Sequence, residues 1–314
     1  MRRIYGRYYA IILFFLISVA SSEEGRNDRK ILEEWMKVRT GTNTEQAKFF
    51  HSLNPSDLLK FGHDAGKWVE QNPQGYIDAG SEMLMFMIIE NYVRQMSYKP
   101  EREKIQGIIT SSSEPWLWRS MWIVWLREGT YEEPNLYKYF PKELESFFDT
   151  FNTLISNKSE NIYVRMSAIN ASSRLLKSGI TAYQREEKWC NETQAEFLYS
   201  QTKEEIKILA GILNNPEEDI SVLQETLKAL GYIISYTKIP ESESIKRTVK
   251  NAFRMRKQYK PEFQITLANW LLNKDEDISI EKEVQLMKEE YPFLEQEITN
   301  ILKKIQAVKN SAHK

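Results

Sequence analysis

Residues Val164–Gly179, VRMSAINASSRLLKSG, decide how this chain is read. Val164, Ala168, Ala171 and Leu175 recur at the i, i+4, i+7 spacing of one helical face. Ile169, Ser172 and Leu176 form a second face of small or apolar residues beside it. A helix that is apolar on two faces is sandwiched between neighbours and does not lie on a surface. Residues Leu223–Ile234, LQETLKALGYII, have the same character.

Working outward, stripes of this kind recur. Met85, Ile89, Tyr92 and Met96 make one, Trp118, Trp122 and Trp125 another, and Phe263, Leu267 and Trp270 the last. Leu117, Met121 and Val124 flank the Trp stripe. The Trp helix, the Val164 helix and the helix around Leu227 are each followed by a more one-sided segment: Lys142–Ser156, Glu196–Leu213 and Ser244–Met255. Pro55, Pro100, Pro141, Pro216, Pro240, Pro261 and Pro292 each precede a segment of helical period. Proline suits the first helical position, where a missing N–H has no partner to lose. Asn54-Pro55 and Asn215-Pro216 add a capping residue. The tetrapeptide Tyr-Lys-Pro-Glu occurs at 98–101 and again at 259–262 and predicts the same local event twice. The stripes begin at 85, 118, 164, 223 and 263, a degenerate period of roughly 40 residues with insertions.

The Val-Arg start, small-residue face and Leu-Leu-Lys-Ser-Gly stop of 164–179 resemble the first helix of a HEAT-type repeat. Residues 223–234 are similar, and the 180–191 segment interrupts the period. The resemblance to HEAT-like and armadillo-like proteins implies an all-α fold, an α-α superhelix of antiparallel helix pairs with a binding face, and no particular chemistry. The expected organisation is a signal peptide over 1–20 and one helical repeat domain over 21–314. That domain divides into an N-terminal cap (21–75), helix pairs (76–290) and a C-terminal capping helix (291–314).

The signal peptide is read from Arg2, Arg3 and Arg7, the apolar run Tyr8–Ala20, and the small residues Ser18, Ala20, Ser21 and Ser22. The run is short for a span of ~20 apolar residues, so cleavage after Ala20 is expected ahead of a membrane anchor. Export to a periplasm or the extracellular space follows, with no stable membrane insertion after cleavage. An N-terminally anchored form is the alternative. Losing three arginines takes the net charge from −1 to −4, which argues against a general nucleic-acid binder. Cys190 is the single cysteine, so no internal disulfide is expected. Asn157, Asn170 and Asn191 open sequons whose use the sequence leaves undecided, as it does bacterial or eukaryotic origin.

Candidate sites are few. His51, His63 and Asp64 faintly resemble the metal-binding pattern of helical HD-type phosphohydrolases, but the spacing is short and Gly62 and Gly66 flank the dipeptide. Trp116, Trp118, Trp122 and Trp125 could form a sugar platform, though their spacing is that of a core stripe. Glu145-Ser146 echoes the acid of lysozyme-like proteins without supporting context. No catalytic residue, cofactor or metal is therefore expected. The segment 129–141, GTYEEPNLYKYFP, is long for a helix–helix connection. With 180–191 it supplies the expected partner contacts: Tyr131, Tyr137, Tyr139 and Trp189. The reading is an exported, non-enzymatic protein-binding or scaffold protein whose partner is another protein, of undetermined oligomeric state. A carbohydrate-active enzyme on an α/α toroid is the alternative.

Overall fold

A computed structural model describes residues 29–72, 79–129, 133–236, 241–275 and 277–312. The expected signal peptide lies outside them. Every regular element is helical, and among the described residues the only β-type pairing is an isolated bridge between Gly129 and Pro134. The helices fall into two compact units, 1–126 and 127–314.

In the first unit, α1 (Arg29–Val38), α2 (Asn43–Ser52) and α3 (Pro55–Gln71) meet through an aromatic cluster. Trp35, Phe49, Phe50 and Phe61 have ring centroids 5.3–6.4 Å apart. Asn54 and Asp57 form a capping box around Pro55, so α3 begins where the sequence places it. α3 pairs with α4 (Ala79–Gln95), whose Gln95 side chain donates to the Leu53 carbonyl at 2.6 Å and so closes the end of α2. After α5 (Arg102–Thr110) comes α6 (Trp116–Arg127), the Trp helix. Trp118 lies in a notch that Gly62 and Gly66 open in α3. A Cβ on Gly62 would stand 2.4 Å from the Trp118 ring. Trp122 sits edge-on to Trp118, Trp125 and Tyr92, and the Trp125 indole donates to Glu90 at 2.8 Å.

The second unit contains α7 (Asn135–Tyr139), α8 (Leu144–Ser156), α9 (Ile162–Gln184), α10 (Glu192–Leu213), α11 (Ile220–Tyr236), α12 (Ser242–Arg254), α13 (Pro261–Asp275), α14 (Glu281–Glu290) and α15 (Glu295–Ala312). α9, α11, α13 and α15 pack one upon the next as an inner row. α8, α10 and α12 pack consecutively as an outer row, each against the inner helix that follows it. α14 completes the last pair with α15. The predicted stripes on α9, α11 and α13 are buried on both faces, as sandwiching between neighbours requires. An all-helical architecture compatible with a helical repeat is thus established.

One device occurs twice along the chain. The Arg119 guanidinium Nε donates to the carbonyl of Ile109, ten residues back at the end of α5. Arg165 does the same to Ile155 at the end of α8, at 3.2 Å. The turn before each of these helices closes through a backbone bond of 3.1 Å: Glu114 to Ser111 and Glu160 to Asn157. Glu218 to Asn215 repeats it before α11. A helix end leaves carbonyls without intrahelical donors, and a buried arginine from the next helix satisfies one of them.

Two local readings are corrected. Asn215-Pro216 does not open α11. Pro216 sits in the preceding turn, and Asp219 caps the helix by accepting from the Ser221 N–H at 2.7 Å. The two Tyr-Lys-Pro-Glu segments also differ. Tyr98 is exposed at φ 59°, in the left-handed region, whereas Tyr259 is extended and buried, its hydroxyl donating to the Leu213 carbonyl at 2.6 Å.

Candidate functional site

The residues singled out from sequence are placed as follows. Tyr131 lies outside the described residues. Tyr137 is buried, and its hydroxyl donates to the Leu175 carbonyl at 2.6 Å. Burial pushes its phenol well above the ordinary tyrosine value. The segment expected as a surface loop contains α7, which turns Asn135, Leu136 and Tyr137 inward. Tyr139 is half-buried with Lys138 over its ring. Trp189 is half-buried, packs against Tyr137 with ring centroids 5.0 Å apart and planes tilted by 44°, and donates its indole N–H to Glu187. The structure therefore joins Tyr137 to Trp189, as packing, and leaves Tyr139 and Trp189 partly exposed. Cys190 is buried beside them, and burial pushes its thiol up.

Trp118, Trp122 and Trp125 are all core, and Trp116 is half-buried. His63 Nδ1 lies 2.8 Å from Glu114, while His51 is exposed. Among the described residues no cluster of three or more His, Cys, Asp or Glu side chains could hold a metal ion. Among them, too, no helix is long and apolar enough to cross a membrane.

A groove that sequence reasoning did not single out runs between α11 and α13 of the inner row. Its volume is about 490 Å³, and Lys228, Tyr232, Thr266, Asn269, Trp270 and Lys274 line it. Its floor depends on Gly231. With no side chain there, the Trp270 indole reaches over α11 and donates to the Leu227 carbonyl at 2.9 Å. A Cβ on Gly231 would meet that nitrogen at 3.2 Å. Glycine inside a helix costs roughly 0.5–1 kcal/mol against alanine, so its presence here is offset by what it admits.

The side chains that line this groove include Lys228 and Lys274 and no carboxylate. α9 contains Arg165, Arg174 and Lys177 and no acidic residue. Arg174 and Lys177 both lie over the Tyr232 ring, at 5.3 and 5.8 Å, and Arg174 also donates to the Tyr232 hydroxyl at 3.3 Å. Lys177 is held below the ordinary lysine value, first by partial burial and second by the charge of Arg174. Lys274 donates to the Ser235 hydroxyl at 2.5 Å. Lys228 pairs with Glu225 at 3.0 Å, and that carboxylate also accepts from Asn170 at 2.6 Å. Asp275, next to Lys274, is turned to Lys246 and Lys250 of α12. Arg174 and Lys274 thus rest on neutral hydroxyls. The signal for this site was present in the sequence as the acid-free α9 and as Lys228 and Tyr232 one helical turn apart.

One further group stands out chemically. Glu205 of α10 is fully buried, accepts from the Ser172 hydroxyl and leaves its Oε1 without a hydrogen-bond partner. Burial pushes its carboxyl up to about 8. It faces α9 inside the stack, and no described cavity reaches it.

Compared with known proteins, the chain matches no family model, no curated protein and no solved structure.

Proposed function

We propose that this chain is an exported, non-enzymatic scaffold of the HEAT-like class that binds another protein through its inner row of helices. The observation that carries the reading is the groove between α11 and α13, open along stacked helices and edged by cations and hydrogen-bonding side chains. Export rests on the basic, then apolar, then small-residue order of residues 1–22. The deep burial of the Trp stripe favours this reading over the polysaccharide enzyme, because it takes away the flat aromatics that such an enzyme would use.

A photo-crosslinking residue at Tyr232 tests the binding role, with the same residue at Glu204, exposed on the outer-row helix α10, as the control. In the native source, a protein adduct is expected from position 232 and none from position 204. Equal adducts from both positions, or none from 232, would overturn the assignment. Sequencing the secreted form should find Ser21 at its start.

A further inference from the structure

We infer that the α9–α11–α13 face takes an acidic, extended peptide segment of its partner, lying across the three helices with its carboxylates on Arg174 and Lys274; this rests on the protein-binding reading above. Three features of the face select that occupant. The first is charge: the three helices present Arg174, Lys177 and Lys274 around Tyr232, while Lys228 and Glu225 neutralise each other and Asn170 also holds that carboxylate. A carboxylate arriving at Arg174 or Lys274 replaces a neutral hydroxyl partner with an anion and adds the Coulomb attraction of unlike charges to the hydrogen bond.

The second is span. Packed helices lie ~8–10 Å apart, so the distance from α9 to α13 across α11 is about 18 Å. An extended chain rising ~3.3 Å per residue crosses it in about six residues. The third is the chemistry between the cations. The groove's open surface is mostly apolar, with Gln224, Thr266 and Asn269 among the side chains that line it. That mixture suits an extended peptide, which brings apolar side-chain stems together with an N–H and a C=O at each residue. A sugar ring that binds by stacking finds no open aromatic face here, and the polyuronate arm of the test below separates a peptide from a polyanion that binds by charge alone. Trp270 is 8% exposed with its N–H engaged, and the Tyr232 face is covered by Arg174 and Lys177.

The test uses the full secreted chain and a fluorescent twelve-residue peptide of alternating Glu and Gly, with its Gln/Gly counterpart as the neutral probe. Binding of the acidic probe alone is expected. Lys228→Glu and Lys274→Glu should each weaken it at least tenfold, and Lys207→Glu on outer-row α10 should leave it within twofold. Far-UV circular dichroism and melting of each variant separate lost binding from lost folding. Because both lysines sit at the groove's edge, the fold is expected to survive. If a variant does unfold, competition on the wild-type chain by a soluble polyuronate decides the same point. A polyuronate that binds more tightly than the peptide and displaces it overturns the proposal in favour of a polysaccharide. Equal binding of acidic and neutral probes, or of neither, overturns the acidic preference. The scaffold reading would then still stand if position 232 crosslinks to a protein, so the two failures are distinguishable.

Discussion

At the scale of single residues, glycine and glutamate make opposite demands. Gly62 faces the Trp118 ring closely enough that any Cβ must displace it. Gly107, exposed in α5, would meet nothing within 4 Å. Alanine gains up to ~1 kcal/mol over glycine in a helix interior, whereas overpacking a core typically costs 1–3 kcal/mol. Gly107→Ala should therefore stabilise the protein by about 0.5–1 kcal/mol in urea unfolding. Gly62→Ala should destabilise it by about 1–2 kcal/mol, and an unchanged midpoint would show that Trp118 does not fill the notch. Glu205 adds a pH dependence. Its folded value of about 8 lies above the ordinary 4.5, so the folded state holds its proton where the unfolded state has lost it. The stability it supports is complete below pH 4.5 and is lost as pH rises toward 8, a loss of a few kcal/mol at most, on the order of 1.4 per pH unit. Glu205→Gln should remove that slope and raise stability near pH 8. A variant with the wild-type slope would place the titration elsewhere. None of this was legible in the sequence, where Glu204-Glu205 reads as a solvated pair. Glu204 is solvated; Glu205 is one residue further round the helix and faces Ser172.

At the scale of elements, the helices were readable and their ends less so. The stripes through Trp118, Val164, Leu223 and Phe263 fix where helices lie because the 3.6-residue period is imposed by burial. Their boundaries depend on which polar side chain reaches which N–H. Asn54 and Pro55 behave as expected, but Asp219 caps α11 in place of Asn215, because the intervening turn uses Asn215 for its own closure. Tyr137 misled for a related reason. A tyrosine in a proline-bounded segment looks exposed until its hydroxyl finds a buried carbonyl, here that of Leu175. The junction of α8, α9 and α11 carries the next prediction. Arg165 is 2% exposed, bonds the Ile155 carbonyl and holds Glu218 by two contacts of 2.7 and 3.0 Å. That guanidinium keeps the Glu218 carboxyl below the usual range. Arg165→Ala leaves a buried carboxylate without its partner, for which about 3–5 kcal/mol is typical. Arg165→Met combined with Glu218→Gln should recover much of the loss. Additive losses in the double variant would show that the two side chains do not act as a pair.

At the scale of the molecule, the sequence conveyed a helical stack but not its division at residue 126, which falls one residue before the end of the Trp helix. No break in composition marks that point. The joining of those signals into one face was not legible, since it draws single residues from α9, α11 and α13, which are far apart in the chain. Residues 127–314 bury their own core from Leu136 to Ile305. Expressed alone, this segment should show strong helical dichroism and one cooperative melting transition. A molten, dye-binding product would show that its helices depend on the first unit.

The ion pair of Arg165 and Glu218 also bears on how the chain can change in length. It ties the start of α9 to the turn ahead of α11, so the intervening α10 must return the chain to one fixed height. Extra residues at 185–188, on the far side of that tie and short of the packed Trp189 and Cys190, lengthen an arc between helix ends. A single residue added at 214–218 would swing the carboxylate away from the guanidinium and slip one layer against the next. Natural drift in chain length should accordingly collect in the first stretch and spare the second.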